Sequence, residues 1–189
     1  YVGEGFTPSL PESLTMGCVS MSLREFPYGK VTEKLMGKAE LAGAMEIRPG
    51  RERFRSSGWR AAVGSSGTVK SIAAVVAAQG WSTDGITAES LARLRDALVE
   101  FGSLSAIDLK GLTHERRPVF PGGVAVLRSI FTALGIERMQ VSDEALREGL
   151  LYEMMGLVRH QDVQERTVSS LTQRFSDDEE HAARVRYTA

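Results

Sequence analysis

The sequence predicts an α/β protein with a partly parallel sheet, followed by a helical segment. Three observations carry this. Up to Met155, strand-sized apolar runs alternate with amphipathic helical patterns. One strand runs straight into the loop Gly64-Ser65-Ser66-Gly67-Thr68 and then a helix. After Gly156, two helical patterns follow with no strand between them. Residues 1–156 are therefore expected to form one domain, and residues 157–189 to open an all-helical one.

Gly3, Gly5, Pro8 and Pro11 mark residues 1–13 as strand end and loop. Leu14 to Leu23 alternates loosely around Met16, Cys18, Val19 and Met21, which predicts a strand, broken by Pro27 and Gly29. From Lys30 to Met45, Val31, Leu35, Ala39, Ala42 and Met45 recur at helical spacing, and Pro49-Gly50 stops that helix. Trp59 to Val63 reads as a short buried strand. The apolar segment from about Val69 to Gln79 is a helix ended by Gly80. Thr87 caps the next helix, whose one face carries Leu91, Leu94, Leu98 and Phe101. Ile107 to Glu115 is expected as short, broken helix. Pro118 and Pro121 suit the start of a buried helix over Gly122–Leu134 that Gly135 ends. Arg138 to Val141 predicts a strand, and Ser142 caps a helix from Asp143 to about Met155. Asp162–Arg174 and Asp178–Tyr187 complete the predicted helices.

The 189 residues are 42% hydrophobic and 25% charged, an ordinary globular balance. Net charge is −1, so no overall basic field attracts nucleic acid, and a polyanion would need a local basic or amide-rich site. The single cysteine, Cys18, excludes an internal disulfide and a Cys-rich zinc site, and is expected as a small buried residue. No apolar run reaches the ~18 residues that cross a membrane. These features suit a reducing cytoplasm.

The segment richest in chemistry is strand–loop–helix, Trp59 to Gln79. Glycines permit positive φ or close approach of a ligand, and small hydroxyl residues add donors. The helix that follows presents unpaired N–H groups and a partial positive charge. Together they make a seat for phosphate, with Lys70 in the first turn. The pattern is neither a Walker A loop nor a dinucleotide fingerprint, and a tight strand-to-helix turn with a Ser/Thr cap fits it as well. Arg116, Arg117 and Arg147 suit bidentate phosphate recognition, with solvated or ion-paired arginines as the alternative. His114, His160 and His181 are isolated, and His160-x-Asp162 falls short of a metal site. No catalytic residue is named.

Four stretches in order carry a resemblance. They are Met16-Gly17-Cys18-Val19-Ser20-Met21, Ala62-Val63-Gly64-Ser65-Ser66-Gly67-Thr68, Glu115-Arg116-Arg117-Pro118-Val119-Phe120-Pro121-Gly122-Gly123 and Ser142-Asp143-Glu144-Ala145-Leu146-Arg147-Glu148-Gly149. Together they resemble the exopolyphosphatase/guanosine pentaphosphate phosphatase family over nearly the whole chain. The resemblance implies an actin-like (ribonuclease H-like) fold, with residues 1–156 as the second α/β domain lacking its first strand. It implies removal of the terminal phosphate from polyphosphate or guanosine pentaphosphate with Mg2+, by water that a glutamate of the first domain activates. It implies phosphate binding by Gly64, Ser65, Ser66, Gly67 and Thr68, and places Arg116 and Arg147 near the ligand cleft. Glu148 lies in the same matched stretch as Arg147, which can equally serve the fold. The family's Asp-Ile-Gly-Gly-Gly-Ser loop is expected just before Tyr1, and the bases and metal ligands outside this chain. The chain alone is thus expected to be inactive, with an exposed sheet edge. Arg159-His160-Gln161-Asp162-Val163 and Arg166-Thr167 favour exopolyphosphatase, with guanosine pentaphosphate phosphohydrolase as the alternative and a non-catalytic assembly module as another. A homodimer, and a cytoplasmic or membrane-peripheral full-length protein, complete the expectations.

Overall fold

The computed structural model describes residues 2–4 and 7–142. The chain divides into two compact units, residues 1–143 and 144–189, and the second lies outside the described residues. So do the helices expected beyond Ser142, the boundary expected at residue 156, and Arg147.

Val2–Glu4 (β1) and Thr7–Leu10 (β2) form an antiparallel hairpin in a sheet of their own. The strand expected over Leu14–Leu23 is not found. Cys18–Glu25 is instead a helix (α1), entered from an extended Gly17 whose N–H donates to Ser20 Oγ at 3.2 Å. The alternation misled because the buried positions are Met21, Ser22 and Glu25. Two of the three are polar, so the inward face does not read as apolar. Cys18 is correspondingly the first residue of a helix, partly exposed and free, rather than a buried strand residue.

Glu33–Ile47 (α2) follows, capped by Thr32 Oγ1, which accepts from Leu35 N–H. α2 ends ahead of Pro49-Gly50 as expected, and an unexpected short helix, Arg51–Ser56 (α3), follows. Its Arg51 Nε donates to the Ala133 carbonyl at 3.0 Å. The strand after it, Ala62–Gly64 (β3), is shorter than expected and not buried: Val63 is 61% exposed. Gly67–Ala78 (α4) begins after two intervening residues. A two-residue strand, Ile86–Thr87 (β4), leads into Ala88–Phe101 (α5), where Thr87 and Ser90 cap each other. Leu104–Ala106 and Arg117–Val119 are 3-10 turns, and no helix spans Ile107–Glu115. Phe120–Leu134 (α6) and Arg138–Val141 (β5) stand where the sequence placed them. Gly135 takes φ 71°, the left-handed conformation that lets the chain leave α6 without strain.

The second sheet has the order β3–β5–β4. β3 and β5 run parallel in register Ala62 to Met139, as the strand–helix–strand pattern required, whereas β4 adds an antiparallel partner. The core centres on α6, which packs against α1, α2, α4 and α5. Its Phe120, Val124, Leu127 and Phe131 are buried, worth roughly 1.5–3 kcal/mol each. Small residues set how closely its neighbours approach. A Cβ on Gly43 of α2 would strike the Ser129 side chain, whose Oγ donates to the Glu40 and Ala125 carbonyls. A Cβ on Gly122 would come within 2.7 Å of Ser22 N and 2.8 Å of the Cys18 carbonyl of α1. One ion-pair cluster ties α2, α5 and α6 on the surface. Arg95 pairs with Glu33, Glu40 and Asp96, and Arg128 Nε reaches Glu40 Oε1 at 2.8 Å. Hydrogen bonding to Arg95 holds the Glu33 carboxyl below its ordinary range, and the same bond raises the Arg95 guanidinium.

Candidate functional site

The loop Gly64–Thr68 lies at the carboxyl end of parallel strand β3, where α/β sheets expose their ligand crevices. Ser142 N–H donates to the Gly64 carbonyl at 2.9 Å, so the end of β5 is fastened to the start of the loop. Ser66 is the N-cap of α4, and its Oγ accepts from Val69 N–H at 3.1 Å. Lys70 N–H takes the Ser66 carbonyl. The amides of Gly67 and Thr68 are left with no acceptor among the described residues. They stand at the positive end of the α4 dipole, where Ser65, Ser66 and Gly67 are exposed and Thr68 is partly so.

Both loop glycines are needed for space, not for the positive φ the sequence suggested. Neither belongs to the positive-φ set. A Cβ on Gly64 would lie 2.8 Å from Met139 Sδ and 2.9 Å from Val69 Cγ1, inside the packing of β5 on α4. A Cβ on Gly67 would lie 2.5 Å from Arg116 Nη2 and 3.2 Å from its Cζ. The guanidinium of Arg116 therefore rests on the bare backbone at the start of α4. It is exposed and has neither a hydrogen bond nor an ion pair among the described residues. Two features that the sequence offered separately, 49 residues apart in the chain (67 against 116), meet here.

Gly123 shows why the loop sits where it does. A Cβ there would lie 2.6 Å from Thr68 Cγ2 and 3.3 Å from Cys18 Cβ, so α6, α4 and α1 converge on it. Cys18 thus stands beside the loop, which its sequence context did not reveal; the paired glycines after Pro121 were the available signal. Arg117 has its Nε buried and without a hydrogen-bond partner. Lys70 already has a partner. His114 is exposed in a turn, while His160, His181 and Arg147 lie outside the described residues.

Two backbone N–H groups, nearby hydroxyls and one planar guanidinium fork are donor types that suit an anion. Among the described residues no group of three or more His, Cys, Asp or Glu could hold a metal ion. The Mg2+ implied by resemblance is therefore not placed by them, and no step is assigned to it. No described helix is long and apolar enough to cross a membrane.

Comparisons with known proteins agree on one family. Residues 1–158 match the Ppx/GppA phosphatase family. The guanosine-5'-triphosphate,3'-diphosphate pyrophosphatase of Photobacterium profundum is 40% identical over 188 residues, covering 100% of this chain and 38% of that protein. The enzyme of the same name from Aeromonas hydrophila subsp. hydrophila gives the same identity and coverage. The chain thus spans 38% of the length of these curated relatives. Among solved structures, the Aquifex aeolicus PPX-GPPA enzyme aligns with TM-score 0.64 at 19% identity, over 79% of this chain and 50% of that one. A second solved structure, of the Aquifex aeolicus member of the Ppx/GppA family, aligns over 84% of this chain and 53% of that one, with TM-score 0.64 at 19% identity. These likenesses show the fold: the mixed α/β, actin-like arrangement of that family.

Proposed function

We propose, from the premise that this chain belongs to the Ppx/GppA phosphatase family, that the protein carrying it removes the terminal phosphate of guanosine pentaphosphate. In this reading Gly64–Thr68 and Arg116 hold a phosphate group of the substrate. One observation carries the assignment of the site: the Arg116 guanidinium, without a partner among the described residues, lies on Gly67 beside the two open amides. A partnerless guanidinium fork at a helix N-terminus is arranged for a tetrahedral oxyanion.

The order of the two substrates is reversed relative to the sequence reading. Exopolyphosphatase stood first there on residues 159–167, which lie outside the described residues. Both curated relatives, identical at 40% of 188 positions, carry the guanosine pentaphosphate name instead. Their breadth of match supports reading the nucleotide as substrate.

The chemistry assigned to these residues is positioning. The α4 amides and Arg116 offset charge on the phosphate oxygens and keep the group in line for attack, the part of phosphoryl transfer that fixed donors supply. The attacking base is assigned to none of the described residues.

The test is phosphate release by the full-length protein, given guanosine pentaphosphate or long-chain polyphosphate in turn. A higher kcat/KM on the nucleotide is expected; a preference for polyphosphate that grows with chain length would overturn the substrate. Arg116→Ala should lower kcat/KM by about 100-fold, the scale of losing one charged oxyanion donor. Unchanged kinetics in that variant would remove the loop from the site.

A further inference from the structure

We infer that the corner where α1 hands over to α2 is a second anion site, one that takes a phosphate group of a nucleotide. A cavity of about 190 Å³ opens there, rimmed by Arg24, Lys30 and Lys38. Glu25 is its one carboxylate, leaving an excess of two positive charges in a chain whose net charge is −1.

The cations are held in place. The Glu25 side chain is 4% exposed; it accepts from Arg24 Nε at 2.8 Å, and its Oε2 forms an ion pair with Lys38 Nζ at 3.1 Å. The two cations themselves are 54% and 66% exposed; Arg24 Nη2 also donates to Met21 Sδ at 3.5 Å, which leaves Arg24 Nη1 and the Lys38 ammonium to face the rim. Long flexible side chains lose rotamer freedom when ordered, and here the carboxylate has already ordered two of them. The Lys30 side chain has no hydrogen-bond or ion-pair partner among the described residues.

The turn that presents Lys30 is fixed by backbone bonds. Gly29, at φ 69°, donates to the Phe26 carbonyl at 3.0 Å and accepts from Leu104 N–H at 2.7 Å. Val31 N–H takes the Gly102 carbonyl at 2.8 Å. The same turn holds Tyr28 at the cavity, 90% exposed. An uncovered aromatic ring beside a cationic pocket suits a planar base over the ring with its phosphate among the cations. The cavity is large enough for a phosphate or diphosphate group, while the base would lie outside on Tyr28.

This site is independent of the loop. Cys18 stands beside Thr68, whereas Glu25 is seven residues further along α1, roughly 10 Å at the helical rise of about 1.5 Å per residue. One phosphate group cannot touch both ends.

The experiment is calorimetric titration of the full-length protein, in an Arg116→Ala background, with GDP and separately with inorganic pyrophosphate. Lys30→Gln and Tyr28→Ala change exposed side chains that carry no structural bond, and a melting curve checks that each variant folds. Lys30→Gln should weaken both probes about tenfold, and Tyr28→Ala should weaken GDP about fivefold while leaving pyrophosphate unchanged. Absence of saturable binding, or Lys30→Gln matching its parent, would overturn the site. GDP affinity unmoved by Tyr28→Ala would overturn the nucleotide. The loop amides remain in the Arg116→Ala background, so the site at the corner is read from the differences that Lys30→Gln and Tyr28→Ala make, which the loop does not share.

Discussion

The two ends of α1 gather positive charge by different means. At its start, beside Thr68, the donors are backbone amides at the head of α4 and one arginine resting on a glycine. At its end, two cations are organised around the buried carboxylate of Glu25. The first arrangement is fixed by absence of volume, the second by opposite charge. Added atoms should therefore break the first, and acid should loosen the second.

The largest effect is expected from Gly67→Val. Its branched side chain would occupy the place of the Arg116 guanidinium, whose Nη2 lies 2.5 Å from even a single Cβ there. Arg116 is exposed and can swing away, so the fold should survive while phosphate affinity falls by about 100-fold. Calorimetry with the full-length protein and a parallel melting curve separate the two. Loss of stability without loss of affinity would mean that the glycine serves packing alone.

A smaller effect, on stability, is expected from Gly122→Ala. The new methyl would press on Ser22 and on the Cys18 carbonyl, which are backbone and buried atoms of α1 and cannot rotate away. Overpacking of this kind costs about 1–3 kcal/mol, read as a lower midpoint in urea at unchanged slope. Since α1 joins both anion sites, affinity at each should fall together in this variant, unlike Gly67→Val.

The smallest effect concerns Glu25. Burial works to raise its pKa, but hydrogen bonding and charge attraction from Lys38 and Arg24 prevail and lower it from 4.5. A carboxyl with a depressed folded pKa contributes stability that is complete above its unfolded value and lost as pH falls through the folded one. Stability should therefore be flat near neutrality and decline on the acid side of 4.5. Both partner cations are largely solvated, so Glu25→Gln should cost only about 1 kcal/mol at pH 7. The variant should also show a shallower acid decline in denaturation curves at pH 7 and pH 3. Some slope should persist, because Glu33 is depressed in the same direction by Arg95. An unaltered acid profile would show that Glu25 does not organise the corner.

Much of this fold was legible where a helix has one apolar face or a marked end. α2, α4, α5 and α6 announced themselves by spacing, by the cap Thr87, and by the glycine stop at 135. What failed did so where those signals weaken. α1 is eight residues long and turns Ser22 and Glu25 inward, so a pattern of hydrophobicity misassigned it. α3 has a charged sequence and holds on through Arg51 rather than through an apolar stripe. β4 is two residues long and exists only because β5 offers it an edge. At the site, the loop and Arg116 could each be read as phosphate-binding types. Their meeting over Gly67 could not, because nothing local to either residue encodes a contact across 49 positions. The cationic corner was equally hidden: Arg24, Lys30 and Lys38 look like ordinary surface charges until the chain turns at Gly29.

Gly123 has one more implication, for motion. With no side chain there, Thr68 and Cys18 rest directly on the backbone of α6, so the first turn of α4 has no intervening rotamer on which to hinge. The loop inherits the rigidity of a helix whose interior residues Val124, Ala125 and Leu127 are buried. Its ordering entropy is then lost when the chain folds rather than when a ligand arrives, and an incoming phosphate meets donors already in position.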